Sequence, residues 1–382
     1  MVTVRTLAFA GAAVLSTVLL TSCGGGPTGV GGEAPESGRP VEVSASAFPL
    51  PPGLDVHHVW ALPTSVSASS YGATASKDFA FLGLARPGEG GVDAEVTSDE
   101  QTSYAAMNLT TGEIVTFPAV EVGRYSRLGV AVDAGTDTYL IHREEQARPP
   151  DECPQSPQYC WTWSLYAQRL PDGEVTQIAT ARQPGPQFTM PRPIAFEGGA
   201  VWLTDGATSG EFDLSKWTPT NSSTVLARDI PWGEVSAEAG VAWVGVDGDE
   251  SARGQLWSVD LGTGALVRRN LPVGATNAVV VDERVQYVLR GDGEPPMSVV
   301  SAPVRTPAKA SVLASGLSDV YVLVALSPTQ AVISDPSGGY WLTGDEGGGL
   351  SGVPQLWGVH RSNGKLAFFI RDGASRVLVV AE

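Results

Sequence analysis

Three lines decide the fold: Ala200-Val-Trp-Leu-Thr-Asp-Gly206, Val241-Ala-Trp-Val-Gly-Val-Asp-Gly248 and Gly339-Tyr-Trp-Leu-Thr-Gly-Asp345. Each is a short apolar run centred on tryptophan and closed by an acid and glycine. Looser versions surround Phe81, Tyr139 and Tyr287, so the central aromatics are Phe81, Tyr139, Trp202, Trp243, Tyr287 and Trp341, spaced 41 to 63 residues apart. A repeat of that period marks an array of small units that stack to bury a shared core.

Outward from each aromatic, further runs follow in order. Upstream of five of them lie Val130-Ala-Val-Asp, Ile194-Ala-Phe-Glu, Val235-Ser-Ala-Glu, Val279-Val-Val-Asp and Val332-Ile-Ser-Asp. An acid with small residues between two β-rich runs is hairpin chemistry. Downstream come third runs, such as Leu165-Tyr166, Leu256-Trp257 and Leu356-Trp357. Turns at Thr110-Thr-Gly112, Pro171-Asp-Gly173, Gly262-Thr-Gly264 and Ser362-Asn-Gly364 then lead to a fourth. Four short strands per unit, with no amphipathic helical period, predict an all-β chain folded as a β-propeller of four-stranded blades. The count is six. The runs at Val56–Leu62 and Val377–Val380 have no unit of their own: they either complete one blade from both ends of the chain or belong to a degenerate seventh.

The phrases Leu256-Trp-Ser-Val-Asp-Leu-Gly-Thr-Gly-Ala-Leu266 and Tyr104-Ala-Ala-Met-Asn-Leu-Thr-Thr-Gly-Glu-Ile114 resemble repeats of the quinoprotein-like (PQQ-like) propeller superfamily. The likeness extends in pattern over residues 60 to 371, but only these turn motifs carry it. The dehydrogenases of that superfamily place a vicinal cysteine pair beside the quinone. Here Cys153 and Cys160 are the only cysteines after Cys23, and they are not vicinal.

The first 22 residues read as an export signal. Arg5 precedes an apolar stretch from Thr6 to Leu20, shorter than the roughly 20 residues a span requires. Leu20-Thr21-Ser22-Cys23, followed by three glycines, resembles the bacterial lipobox. The resemblance implies a lipoprotein with a diacylglycerol on Cys23, a lipid-anchored location on the extracytoplasmic side of the cell membrane, and the membrane as first partner. Residues 23–53, rich in Gly, Pro, Ser and Glu, read as a flexible tether. Residues 54–382 read as the propeller. In an exported chain Cys153 and Cys160 are expected to form a disulfide, worth about 2.5 kcal/mol on the chain-entropy account.

The net charge is −17, which excludes nucleic acid as a partner because the phosphate backbone would be repelled. In a four-stranded blade the loops between second and third strands share one face. Read as 85–101, 143–159, 205–215, 247–255, 290–298 and 344–355, these loops hold 19 of the 41 acids against five arginines, a net −14. That face is expected either to keep an exported chain soluble or to meet an envelope protein partner through Glu144, Glu145, Asp205, Asp247, Asp249, Glu250, Asp292, Glu294, Asp345 and Glu346. Trp161 and Trp163, beside the expected disulfide, form a recognition knob or pack between blades. No cofactor is expected; the weak alternative is calcium at Asp247, Asp249 and Glu250.

No nucleophile elbow, zinc-protease helix or phosphate loop is present. His57 and His58 are neighbours and point to opposite faces of a strand, while His142 and His360 are read as exposed polar positions at strand ends. The leading functional expectation is a binding or scaffold module at the cell envelope. The rivals are an envelope enzyme at the channel mouth, carbohydrate-active or quinone-dependent, and a ligand or metal sensor. A carboxylate pair drawn from different blades would leave no spacing signal.

Overall fold

The computed structural model describes residues 39–47, 54–63, 68–84, 103–118, 120, 125–148, 160–181, 190–208, 210–248, 252–290, 297–318, 320, 322–335, 338–343, 350–353, 356–362, 364–372 and 375–382. Strands dominate, and all pairings are antiparallel between chain neighbours except at one closing point. Six sheets have four strands. Blade 1 holds β3 (Ala68–Ala75), β4 (Phe79–Leu84), β5 (Ser103–Asn108) and β6 (Ile114–Pro118). Blade 2 holds β7 (Tyr125–Ala134), β8 (Asp137–Arg148), β9 (Cys160–Arg169) and β10 (Val175–Thr180). Blade 3 holds β11 (Ile194–Phe196), β12 (Gly199–Asp205), β13 (Glu211–Thr218) and β14 (Asn221–Pro231).

Blade 4 follows with β15 (Glu234–Glu238), β16 (Val241–Val246), β17 (Arg253–Asp260) and β18 (Leu266–Val273). Blade 5 has β19 (Ala275–Val281), β20 (Arg284–Leu289), β21 (Met297–Pro303) and β22 (Ser311–Leu317). Blade 6 has β23 (Val322–Ser327), β24 (Gln330–Asp335), β25 (Gly338–Thr343) and β26 (Leu350–Val353). The closing sheet joins the two ends of the described chain. Its order is β1 (Val41–Glu42), β2 (Val56–Leu62), β29 (Ser375–Ala381), β28 (Lys365–Asp372) and β27 (Leu356–Ser362). Pairing of β2 with β29 shuts the ring, and β1 adds a short outer strand within the stretch read as tether.

The first strand of each sheet touches the first strand of the next, from β3 through β7, β11, β15, β19 and β23 to β27 and back to β3. These seven strands form a closed ring about one axis. Strand β27 also approaches β7 and β11, so the ring is narrow.

Seven apolar clusters hold the blades together, one at each junction between neighbouring sheets. The cluster between blades 2 and 3, for example, packs Ile141, Trp163 and Leu165 against Ala195, Trp202 and Trp217. Alternation along a strand makes this possible, because successive side chains face opposite neighbours. Five central aromatics sit on second strands as expected: Phe81 on β4, Tyr139 on β8, Trp202 on β12, Trp243 on β16 and Tyr287 on β20.

The sixth does not. Trp341 lies on β25, the third strand of blade 6, and its apolar line is preceded by β23 as well as β24. That one-strand slip sent Leu356-Trp357 and the run after it into the wrong unit; they belong to β27 and β28 of the closing sheet. The fully buried Phe368 of β28 is the aromatic of that sheet's second strand. The two orphan runs noted in the sequence are its remaining strands, so the propeller has six four-stranded blades and a seventh, closing sheet drawn from both ends.

Local chemistry explains the turn phrases. Asn108 Oδ1 accepts from the backbone N–H groups of Thr110 and Thr111. Asp260 Oδ1 does the same for Gly262 and Thr263. Gly112 and Gly264 then close each turn at positive φ, 69° and 74°, a conformation that favours glycine. The recurring Asx-turn is a solution to a tight strand connection, and that is the content of the family-like motif.

Candidate functional site

Because each sheet meanders outward from the axis, connections from second to third strand and from fourth to the next first strand emerge on one face, here termed the loop face. The short hairpins emerge on the other. Asp205, at the end of β12, and Asp247, just past β16, are exposed at the loop face. Asp247 is oriented by the backbone N–H of Asn277, 2.7 Å from its Oδ1. Asn277 itself has positive φ at a register shift in β19, and its Nδ2 donates to the carbonyl of Val320.

Three residues that the sequence reading passed over stand at the same ends of the inner strands. Arg192, exposed, precedes β11 between two buried prolines. Trp232, 38% exposed, links blade 3 to blade 4 with its ring 4.9 Å from that of Phe212. Gly233 follows, so close to the Gly245 carbonyl that a Cβ would lie 2.3 Å from it, which pins this crossing to the sheet. Glu234 opens β15. Its surface is reached by water, yet desolvation is the main cause that pushes its carboxyl above the usual range; the Arg192 charge lowers it and Asp247 raises it. No spacing signal could have found this group, since it is assembled at the starts of inner strands in blades 3, 4 and 5.

Below the loop face, β8 carries a run with no counterpart in the other blades: His142-Arg143-Glu144-Glu145. These residues were expected in an exposed loop beginning at 143, with His142 at a strand end. That expectation fails. Strand β8 continues to Arg148, paired throughout with β9 as far as Cys160, and His142, Glu144 and Glu145 are 0%, 0% and 1% exposed. The missed signal was β9, whose alternating Trp161, Trp163 and Leu165 require an equally long partner.

Alternation splits the run between two junctions. Arg143 and Glu145 face blade 3: Arg143 donates to Glu145 Oε1 at 3.0 Å and to the Pro191 carbonyl at 2.8 Å. His142 and Glu144 face blade 1. The His142 ring stacks on Tyr104 of β5 with centroids 3.8 Å apart and lies 5.5 Å from Tyr166. Its Nε2 is 3.4 Å from Glu144 Oε1. Glu144 Oε1 accepts from the backbone N–H of Val120 at 2.5 Å, and the Tyr104 hydroxyl donates to Gln168 at 2.8 Å. Burial holds the His142 pKa below its ordinary 6.5, against a smaller opposing effect of Glu144. Burial, then the Glu144 charge, raises that of Tyr104.

The remaining expected site residues are placed as follows. Trp163 is buried and Trp161 partly buried in the cluster between blades 2 and 3, which is the packing alternative rather than a free knob. Cys23, Cys153, Asp249, Glu250, Asp292, Glu294, Asp345 and Glu346 lie outside the described residues, and Cys160 opens β9. Among the described residues no group of three His, Cys, Asp or Glu side chains is placed to hold a metal. His57 and His58 part company as expected: His57 Nε2 lies 3.5 Å from Glu382 and His58 Nδ1 3.2 Å from Glu42.

No protein-family model matches the sequence, and no curated protein matches it. Solved structures do. The β-propeller domain of the Trilobed protease from Pyrococcus furiosus, described as having an open velcro topology, aligns at TM-score 0.50 and 9% identity over 81% of this chain and 92% of that one. YCF48 bound to D1 peptide aligns at TM-score 0.49 and 11% identity over 86% and 98%. The polysaccharide lyase Uly1 aligns at 0.48 and 11% over 83% and 90%. At these identities the likeness is one of fold alone: the chain is a β-propeller.

Proposed function

We propose that this chain is a lipid-anchored, extracytoplasmic β-propeller that works as a binding and scaffold module at the bacterial cell envelope. The observation that carries the reading is the loop face of blades 3 and 4, where Arg192, Asp205, Trp232, Glu234 and Asp247 all stand exposed. An exposed aromatic beside carboxylates and a guanidinium is the residue mix of recognition surfaces, where large rigid side chains supply area and charges supply register. The lipobox-like Leu20-Thr21-Ser22-Cys23 supports the anchor; a diacylglycerol brings two chains, enough for stable attachment where one is marginal.

Two experiments test the two halves separately. Cells expressing the full chain are grown with labelled palmitate: label and membrane association are expected in the wild type and lost in Cys23→Ser. Label retained by the variant overturns the anchor. For the binding face, in-cell crosslinking compares the full chain with Asp205→Lys/Trp232→Ala/Glu234→Lys. Specific adducts with an envelope protein are expected to fall at least tenfold. An unchanged adduct pattern means that the face only solubilises the domain.

A further inference from the structure

The junction between blades 1 and 2 holds a wholly buried imidazole at its centre, that of His142. Its ring lies between Tyr104 and Tyr166, and neither ring nitrogen makes a hydrogen bond. Among the described residues, the titratable groups that face it are few. Glu144 comes from its own strand, Tyr104 from β5 across the junction and Tyr166 from β9. From β6 the neighbour of Tyr104 is Phe117, with ring centroids 5.3 Å apart. Arg143 and Glu145 point the other way, toward blade 3.

We propose that this seam is an acid-sensitive joint: protonation of His142 parts blade 1 from blade 2 while the other junctions stay closed. A neutral imidazole stacks against the phenol rings without bringing a net charge into the junction. An imidazolium has two N–H donors to satisfy and a full charge in a dry environment. Glu144 offers an acceptor near Nε2, but Nδ1 has none. The charged form is relieved by water, and water reaches the ring only if the blades separate. Glu144 is already committed to the Val120 N–H, in the chain leaving blade 1, so a pull of Glu144 toward the imidazolium also loosens that tie.

The sign follows from burial. The folded pKa is held below 6.5, so on acidification the open chain takes up the proton first. The stabilisation from this group is complete above about 6.5 and is lost as the pH falls through that value toward the folded pKa. The joint therefore opens in mild acid and closes again near neutrality.

Amide hydrogen exchange of the mature chain at pH 7.5 and 5.0, corrected for the intrinsic pH dependence, tests this. Peptides from β5, β8 and β9 are expected to exchange at least tenfold faster at pH 5.0, and those from β16, β17 and β20 to change less than twofold. In His142→Phe, which keeps a flat ring in the stack, the difference disappears. Uniform loosening, or the same local loosening in the variant, overturns the proposal. Should His142→Phe fail to fold, the variant His57→Gln/His58→Gln/His360→Gln leaves His142 as the one imidazole for an NMR titration. A midpoint below 6.5 that coincides with the onset of exchange in β8 supports the joint. A midpoint at or above 6.5, or exchange that starts without protonation, sinks it.

Discussion

Two junctions of the ring do the same architectural work with different chemistry. Between blades 4 and 5, Leu256, Leu271, Ala278, Val280, Tyr287 and Val300 meet in an apolar cluster. Around blade 2, buried ionisable groups face both neighbours: His142 and Glu144 on one side, Arg143 and Glu145 on the other. An apolar junction is stabilised by the transfer of its surface from water and tolerates almost any pH. A charged one depends on every partner being present and on protonation. Blade 2 is therefore the place where the ring is conditional, and blade 4–5 the place where it is not.

The largest expected effect is at the ion pair. Arg143→Met leaves the Glu145 carboxylate buried without its guanidinium, which costs about 3–5 kcal/mol in unfolding free energy. Replacing both members, as Arg143→Met/Glu145→Leu, removes the orphan charge, and the loss shrinks to under half. Urea denaturation at pH 7.5 measures both. If the double variant is as unstable as the single, the pair contributes through packing and not through charge. In Arg143→Met alone acid neutralises the stranded charge, so the deficit also diminishes as the pH falls.

Next comes the apolar side. Leu256→Ala, a fully buried side chain of β17, is expected to cost about 2–4 kcal/mol, the lost transfer energy plus a cavity. The sharpening measurement is its pH profile. Between pH 5 and 8 the deficit relative to wild type stays constant within error, whereas that of Arg143→Met does not. A pH-dependent deficit in Leu256→Ala means that the junctions are coupled and the contrast between them is false.

This contrast also marks how far the sequence was legible. Periodic aromatic lines, Thr-Gly turns and an acid at each hairpin specify strands and blades because their physics is local: pleat alternation and Asx-turns are set within a dozen residues. The ring closure was only half visible. Val56–Leu62 and Val377–Val380 showed as strands without a unit, but their pairing spans more than 300 residues and has no local signature. In blade 6, aromatic matching placed Trp341 one strand too early, since a tryptophan suits any interior strand. The candidate site was less legible still. Asp205 and Asp247 were found because they end apolar runs, whereas Arg192, Trp232 and Glu234 meet only through the fold. Charge itself misled at β8, where Arg143, Glu144 and Glu145 read as solvent-facing because buried charge is rare without partners, and the partners come from other blades.

A third substitution separates polarity from ionisation. Gln286 of β20 is fully buried, and its Nε2 donates to the carbonyls of Ser327 and Gln330 in blade 6 at 2.6 and 3.2 Å. Gln286→Leu removes a neutral donor from a junction whose other buried polar contact, from the Ser301 hydroxyl to the Pro328 carbonyl, is also uncharged, and is expected to cost about 1–2 kcal/mol with no dependence on pH. If the loss varies between pH 5 and 8, the conditional character of blade 2 is shared by any buried polar group and is not owed to charge.

The smallest effect probes the seam itself. Tyr104→Phe keeps the ring on His142 and removes one hydroxyl, whose bond to Gln168 at 2.8 Å contributes about 1 kcal/mol. Burial and the Glu144 charge raise the phenol pKa well above its ordinary value of 10.0, so Tyr104 stays protonated throughout the range in which His142 titrates. The variant should therefore lose about 1 kcal/mol evenly from pH 5 to 8, with the acid-dependent exchange of β8 intact, because the stacking surface and the contact of the imidazole with Glu144 are unchanged. If the acid response instead vanishes with the hydroxyl, the proton is held by a network running through Tyr104 and Gln168. The histidine would then be one member of the switch and not its seat.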